Sequence, residues 1–144
     1  MSAEANKAAI RRIYEEVINK GNLAAVDDVV AANLAYHGPG GMELKGPAEV
    51  KEFVTAIRIA FPDVCMTVEN MIAEGDYVAH RARFTGTHQG NFRGIAPTGN
   101  RVTFTANYLS RFAGDKEAEA WEEFDMLSFM QQLGVIPPMG QPGK

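Results

Sequence analysis

Residues 64–85 read VCMTVENMIAEGDYVAHRARFT, and the apolar period of the chain changes there from 3.6 to 2. Upstream, Val50, Phe53, Val54, Ile57 and Phe61 recur at the spacing of one helix face. From Val64 onward, Val64, Met66, Val68 and Ile72 alternate with more polar neighbours, and Asn70 alone breaks the apolar register. Gly75-Asp76 supplies hairpin-turn chemistry between two such runs. Beyond the turn, Val78, His80, Ala82 and Phe84 fall on one face of a second strand. A helix feeding an antiparallel hairpin is the seed of the fold.

The pattern extends both ways. After a glycine-rich connection, Val102, Phe104, Ala106 and Tyr108 share one face of a third strand, and Thr103, Thr105 and Asn107 share the other. Gly114-Asp115 marks the next turn, residues 117–124 a fourth strand, and Met126, Leu127, Met130 and Leu133 a closing helix that stops at Gly134. Toward the N-terminus, Ile10, Ile13, Tyr14, Val17 and Ile18 form an amphipathic helix ended by Gly21-Asn22. Asn22 is placed to cap a short second helix carrying Leu23, Val26, Val29 and Val30. The segment AYHGPGGMELKG (35–46) reads as a short strand feeding a loop. Pro47 then suits the first turn of a third helix, where its missing N–H goes unused. The order α-α-β-α-β-β-β-β-α predicts an α+β fold, a curved antiparallel sheet with helices on one face. One domain over residues 1–136 is expected, followed by an irregular Pro- and Gly-rich tail at 137–144.

A chain of 144 residues suits one core. Its 46% hydrophobic and 22% charged residues exclude a disordered chain, and no apolar run approaches the roughly 18 residues of a membrane span. The net charge, 14 − 18 = −4, lacks the basic footprint that nucleic acid or anionic lipid requires. Cys65 is the one cysteine and has no internal disulfide partner. The opening MSAEANKAAIRRIYEEV holds no uninterrupted apolar stretch of the secretory kind, so a cytoplasmic setting is expected. His37, His80 and His88 sit in no ligand spacing, so no metal is expected.

The stretches FPDVCMTVENMIAEGDYVAHRARFTGTHQGNFRGIAPTGNRVTF (61–104) and AWEEFDMLSFMQQLG (120–134) resemble the SnoaL-like polyketide cyclase family, typified by nogalonic acid methyl ester cyclase. RRIYEEVINKGN and the AYHGP segment share the likeness, which covers roughly residues 7–134. The specific motifs are GTHxGxFxGIxPTGxxV, from Gly86 to Val102, and the Trp121-x-x-x-Asp125 pair. The resemblance implies the cone-shaped α+β barrel of the nuclear-transport-factor-2-like group, with the helices on the concave face of the sheet and an apolar pocket between them. It further implies an intramolecular aldol ring closure that uses neither cofactor nor metal, a small apolar carbonyl substrate, and pairing into a homodimer. In the cyclases an aspartate matching Asp125 is the general acid/base.

The candidates carry both a functional and a structural reading. Asp125 in an apolar pocket would have a raised pKa and serve as base, then acid. Placed before MLSFMQQL, it is equally an N-cap, and the two roles are compatible. His37 matches a substrate-binding asparagine of the type cyclase and is a catalytic candidate beside Asp125, able to polarise a carbonyl or relay a proton; otherwise it is a loop histidine bonded to nearby backbone. His80 is a satisfied core histidine or a polar spot in the pocket wall. Tyr108 stands where the type cyclase carries a histidine; it can donate to an oxyanion but is no base near pH 7. Tyr14 brings its hydroxyl to the cavity or buries it in the core, and Trp121, in register with Asp125, lines the pocket or plugs the core. Phe92, with Ile95, is placed at the pocket's mouth and Phe104 on the concave face, while His88 is structural within the Gly86–Pro97 loop. Arg81, Arg83 and Arg111 fall on the strand faces away from the pocket and read as surface or interface pairs, and the doublets Glu15-Glu16, Asp27-Asp28 and Glu122-Glu123 read as solvated charge. The expected function is cyclase-like proton transfer at carbon. The rivals are a hydratase, isomerase or epoxide hydrolase on the same fold, and a non-catalytic binder of a small apolar molecule.

Overall fold

A computed structural model describes residues 2–137. Most of the expected tail, residues 138–144, lies outside the described residues. Helix α1 (Ala3–Arg12) starts at Ser2, whose hydroxyl accepts from the Ala5 N–H at 3.1 Å. It runs on into a π-helical turn, Ile13–Ile18, closed by the Asn19 N–H donating to the Tyr14 carbonyl. A 3-10 turn (Leu23–Ala25) and α2 (Val26–Val29) follow, then β1 (Val30–His37), β2 (Glu43–Lys45) and α3 (Gly46–Ala60). The meander is β3 (Cys65–Glu74), β4 (Tyr77–Thr87), β5 (Arg101–Ala113) and β6 (Lys116–Phe124), closed by α4 (Met126–Leu133). Among the described residues no helix is long and apolar enough to cross a membrane.

The six strands form one sheet in the order β2-β1-β6-β5-β4-β3, with the helices on one face. The meander pairs antiparallel throughout, as its hairpin turns dictate. The sheet as a whole is mixed, because β1 takes the free edge of β6 and runs parallel to it. The segment read as one strand and a loop therefore makes two strands, β1 with β2 antiparallel on its outer edge. The expected second helix is shorter than its apolar spacing suggests. Asn22 makes no side-chain cap bond, and Val30 already belongs to β1.

Two apolar clusters pack under the sheet. One gathers Ile10, Phe61, Val78, Phe84, Val102, Phe129 and Leu133; the other gathers Val17, Val26, Val29, Leu34 and Val54. In α4 the buried stripe is Phe129 and Leu133, and Leu127, expected on it, is 45% exposed. Ile72 also departs from expectation, being 70% exposed. The cause is a β-bulge between Val68 and Asn70. The extra residue flips the parity of β3, so Met71 and Ala73 pack on the core and Ile72 turns outward. Gly90 is fixed by close approach, since a Cβ there would lie 2.2 Å from the Ile59 carbonyl oxygen.

Candidate active site

Between sheet and helices lies a cavity of about 430 Å³. Strand alternation decides which side chains reach it. β4 presents His80 and Phe84, β5 presents Phe104 and Tyr108, and β6 presents Ala120, Glu122 and Phe124. β1 presents Tyr36 and the first helix Tyr14. One region of the wall is aromatic: Phe129 packs edge-on against Phe104 and Phe124, and Phe92 reaches Phe61 and Phe129. Phe92 sits at the base of a two-residue hairpin whose ends, Phe92 and Ile95, exchange backbone bonds of 3.0 and 2.8 Å. Its central residues Arg93 and Gly94 both take positive φ, +48° and +85°. That is the two-residue turn of tight hairpins. It places the Arg93 guanidinium over the Phe92 ring, 5.6 Å from the centroid.

The other region is polar and dense in ionisable groups. The Tyr36 hydroxyl donates to the Glu122 carboxylate, and Tyr108 is the cross-strand neighbour of Glu122. Burial pushes the Glu122 carboxyl up from its ordinary value, while hydrogen bonds from Tyr36 and Tyr108 and the charge of Arg93 oppose the shift. Burial and the nearby Glu122 charge hold the Tyr36 and Tyr108 phenols well above theirs, so both stay protonated donors. His80 lies parallel to Tyr108, ring centroids 4.9 Å apart, and contacts Tyr14 edge-on. Its Nδ1 is 2.8 Å from the Tyr14 hydroxyl and its Nε2 3.0 Å from Ser110 Oγ. Ser110 in turn donates to Glu117 at 2.5 Å. Burial lowers the His80 pKa to about 4 and raises that of Glu117 to about 7, because the charged form is the one desolvated in each case.

The structure brings Tyr14, His80, Phe92, Phe104 and Tyr108 together around the cavity, and it separates Asp125, His37 and Trp121 from them. Asp125 is exposed at the N-terminus of α4, where its Oδ1 accepts from the Ser128 N–H at 2.9 Å; the cap reading describes it. Trp121 does share the parity of Asp125, but that parity is the outer face of β6. His37 stacks on Trp121 there, centroids 5.6 Å apart, and bonds to Glu119 at 2.8 Å and Glu43 at 2.9 Å. Those two hydrogen bonds raise its pKa. Arg81 and Arg83 pair with Glu69, and Arg111 with Glu119, on the same outer side.

Glu122, read from sequence as solvated charge, instead lines the cavity, as does a second carboxylate, Glu117. Glu122 has the parity of Ala118, Ala120 and Phe124, the apolar face of β6, a signal that reading the strand inward from Trp121 and Asp125 passes over. Tyr36 likewise shares the parity of buried Leu34. Glu117 had no such signal. A register shift between Arg111 and Phe112 in the β5–β6 ladder pairs Phe112 with Glu117 and turns that residue inward.

Comparison with known proteins agrees with this architecture. The SnoaL-like polyketide cyclase family matches residues 8–133. The aklanonic acid methyl ester cyclase DnrD of Streptomyces peucetius is 30% identical over 131 residues, 87% of this chain and 88% of that protein. Among solved structures, IdmH of Streptomyces antibioticus superposes with a TM-score of 0.78 at 28% identity, covering 90% of this chain and 99% of that one. An NTF2-like protein of Burkholderia pseudomallei shares the fold at 17% identity, with a TM-score of 0.76 over 92% of this chain and 98% of that one. Matched over most of its length by that family and by the cyclase DnrD, the chain belongs to the SnoaL-like polyketide cyclase family and has the NTF2-like fold.

Proposed function

We propose that the chain is a cyclase that closes a ring by an intramolecular aldol step on a small, largely apolar carbonyl compound, with Glu122 as general base and then acid. The observation that carries this reading is the placement of the Glu122 carboxyl at the polar end of a cavity whose other end is aromatic, held by Tyr36 and facing Tyr108. A carboxylate whose pKa is raised by burial is a stronger base than one in water, and its protonated form is available to return the proton. Ionised Glu122 takes the proton from the carbon between two carbonyls, and the electron pair becomes an enolate. Its oxygen is met by a phenol O–H of the Tyr108 type, a donor that stays protonated. The enolate carbon attacks a further carbonyl carbon elsewhere in the same molecule, a C–C bond forms as that C–O π pair moves onto oxygen, and the new alkoxide takes the proton back from Glu122.

The test is deuterium exchange at the activated carbon of a panel of β-dicarbonyl esters. Wild-type protein exchanges, Glu122→Gln loses about 10²–10⁴-fold, the usual contribution of one general base, and Asp125→Asn keeps the wild-type rate. Exchange surviving in Glu122→Gln, or lost in Asp125→Asn, overturns the assignment. Binding of the same esters with no exchange in the wild type would turn the reading to the non-catalytic binder.

A further inference from the structure

Glu117, Ser110, His80 and Tyr14 are joined by three consecutive hydrogen bonds, of 2.5, 3.0 and 2.8 Å, that link β6, β5, β4 and the first helix. All four are buried: Ser110 is 1% exposed, Tyr14 3%, His80 6% and Glu117 6%. Tyr14 supplies the far hydroxyl from the second position of the π-helical turn, and such turns recur where a helix must re-aim a side chain at a site. None of the four is needed by the ring-closing step above, which uses Glu122.

We propose that these four residues form a proton relay, with Glu117 as its store and the Tyr14 hydroxyl as its outlet into the cavity. As part of a catalytic cycle the relay rests on the reading given above; as a hydrogen-bonded switch it does not. The chain has two complete arrangements. With Glu117 ionised, Ser110 donates to the carboxylate, His80 Nε2–H donates to Ser110, and the bare Nδ1 accepts from Tyr14, leaving the Tyr14 oxygen free to accept. With Glu117 protonated on the oxygen facing Ser110, every bond reverses: Glu117 donates to Ser110, Ser110 to Nε2, Nδ1–H to Tyr14, and Tyr14 donates into the cavity. Passing between them moves one proton from a group in the cavity to Glu117. Tyr14 takes that proton and yields its own to Nδ1, Nε2–H passes to Ser110, and the Ser110 proton passes to the carboxylate. Neither a tyrosinate nor an imidazolium forms at rest, in keeping with burial holding the Tyr14 phenol up and the His80 imidazole neutral.

The ionisable groups around Glu117 are His80 from β4, reached through Ser110, Tyr14 from the first helix and Tyr36 from β1, while Lys116 on its own strand donates to the Asp27 carbonyl. On α2, Asp27 and Asp28 pair outward with Lys51 and Arg12. The experiment is a ¹⁵N NMR titration of the His80 ring from pH 5 to 9 on the full chain, with no ligand. The expected result is an exchange of tautomer, Nδ1–H at low pH and Nε2–H at high pH, half-complete near the Glu117 pKa of about 7. In Glu117→Gln the tautomer exchange is lost, and in Ser110→Ala it is uncoupled from Glu117. One tautomer held across the range in the wild type overturns the relay, even if neither variant folds. A switch that persists unchanged in Glu117→Gln also overturns it. Because no substrate is present, this outcome is independent of whether Glu122 catalyses ring closure.

Discussion

Glu117 and His80 are both buried ionisable groups, and burial gives them opposite dependences on pH. Glu117 has a folded pKa of about 7 against an ordinary value of 4.5, so between these the folded state binds more protons than the unfolded one. Stability therefore falls as pH rises through that window, by about 3 kcal/mol at 1.36 kcal/mol per unit. His80 has a folded pKa of about 4 against 6.5, and its contribution, also about 3 kcal/mol, is lost as pH falls through that range. The two slopes overlap and oppose each other in the wild type. Urea unfolding as a function of pH should then show a nearly flat profile between pH 5 and 6.5 in the wild type. Glu117→Gln should instead lose stability toward acid, and His80→Gln should lose it toward neutrality. Parallel profiles for all three proteins would mean that neither group is desolvated as the packing indicates. Asp125 gives a contrasting test: Asp125→Ala removes the α4 cap and should cost about 1 kcal/mol in the same assay.

Elements show where the sequence could be read and where it could not. Hydrophobic period placed α1, α3, α4 and the four meander strands, because each buries one face along most of its length. Strands β4 and β5 keep strict alternation, so the inward positions of His80, Phe104 and Tyr108 were legible from pattern alone. In β6 the apolar parity, Ala118, Ala120 and Phe124, also marks the inner face, but that face carries a carboxylate, Glu122. The one tryptophan lies on the other, charged parity with Glu119, Glu123 and Asp125, so reading inward from Trp121 inverts the strand. Bulges defeated the rest. An inserted residue in β3 and another in the β5–β6 ladder reverse parity in mid-strand; Asn70, the one break in the apolar register, sits at the first, and nothing in the sequence marks the second. The Phe92–Ile95 hairpin offers a test at this scale. Arg93 occupies a left-handed position that asparagine tolerates better, and Asn-Gly is the preferred pair for this turn. Arg93→Asn should stabilise the protein by about 0.5–1 kcal/mol through relief of that conformation. It also removes the positive charge that holds the Glu122 pKa down, so the acid limb of the exchange rate should move to higher pH. A limb that stays in place would show that Arg93 does not act on the carboxylate.

The whole molecule is built around an interior left partly empty. Its two apolar clusters are bridged by the cavity, so the aromatic wall serves both the core and the ligand site. Phe129 sits where these roles meet, 4% exposed and in contact with the rings of Phe61, Phe92, Phe104 and Phe124. Phe129→Ala should cost about 3–5 kcal/mol, a large share of the 5–15 kcal/mol that a domain usually holds, because the lost packing opens onto space already present. A ligand that fills the space should return part of that loss. At a hundredfold excess over its dissociation constant, a bound ligand adds about 2.7 kcal/mol to the folded state. A small aromatic ketone should therefore raise the urea midpoint of both proteins, and should raise it more in Phe129→Ala if it seats against the vacated ring position. An equal shift in both would place the ligand at the polar end beside Tyr108 and Glu122. No shift in either would mean that the cavity does not admit apolar carbonyl compounds, and the proposed substrate class would fall with it.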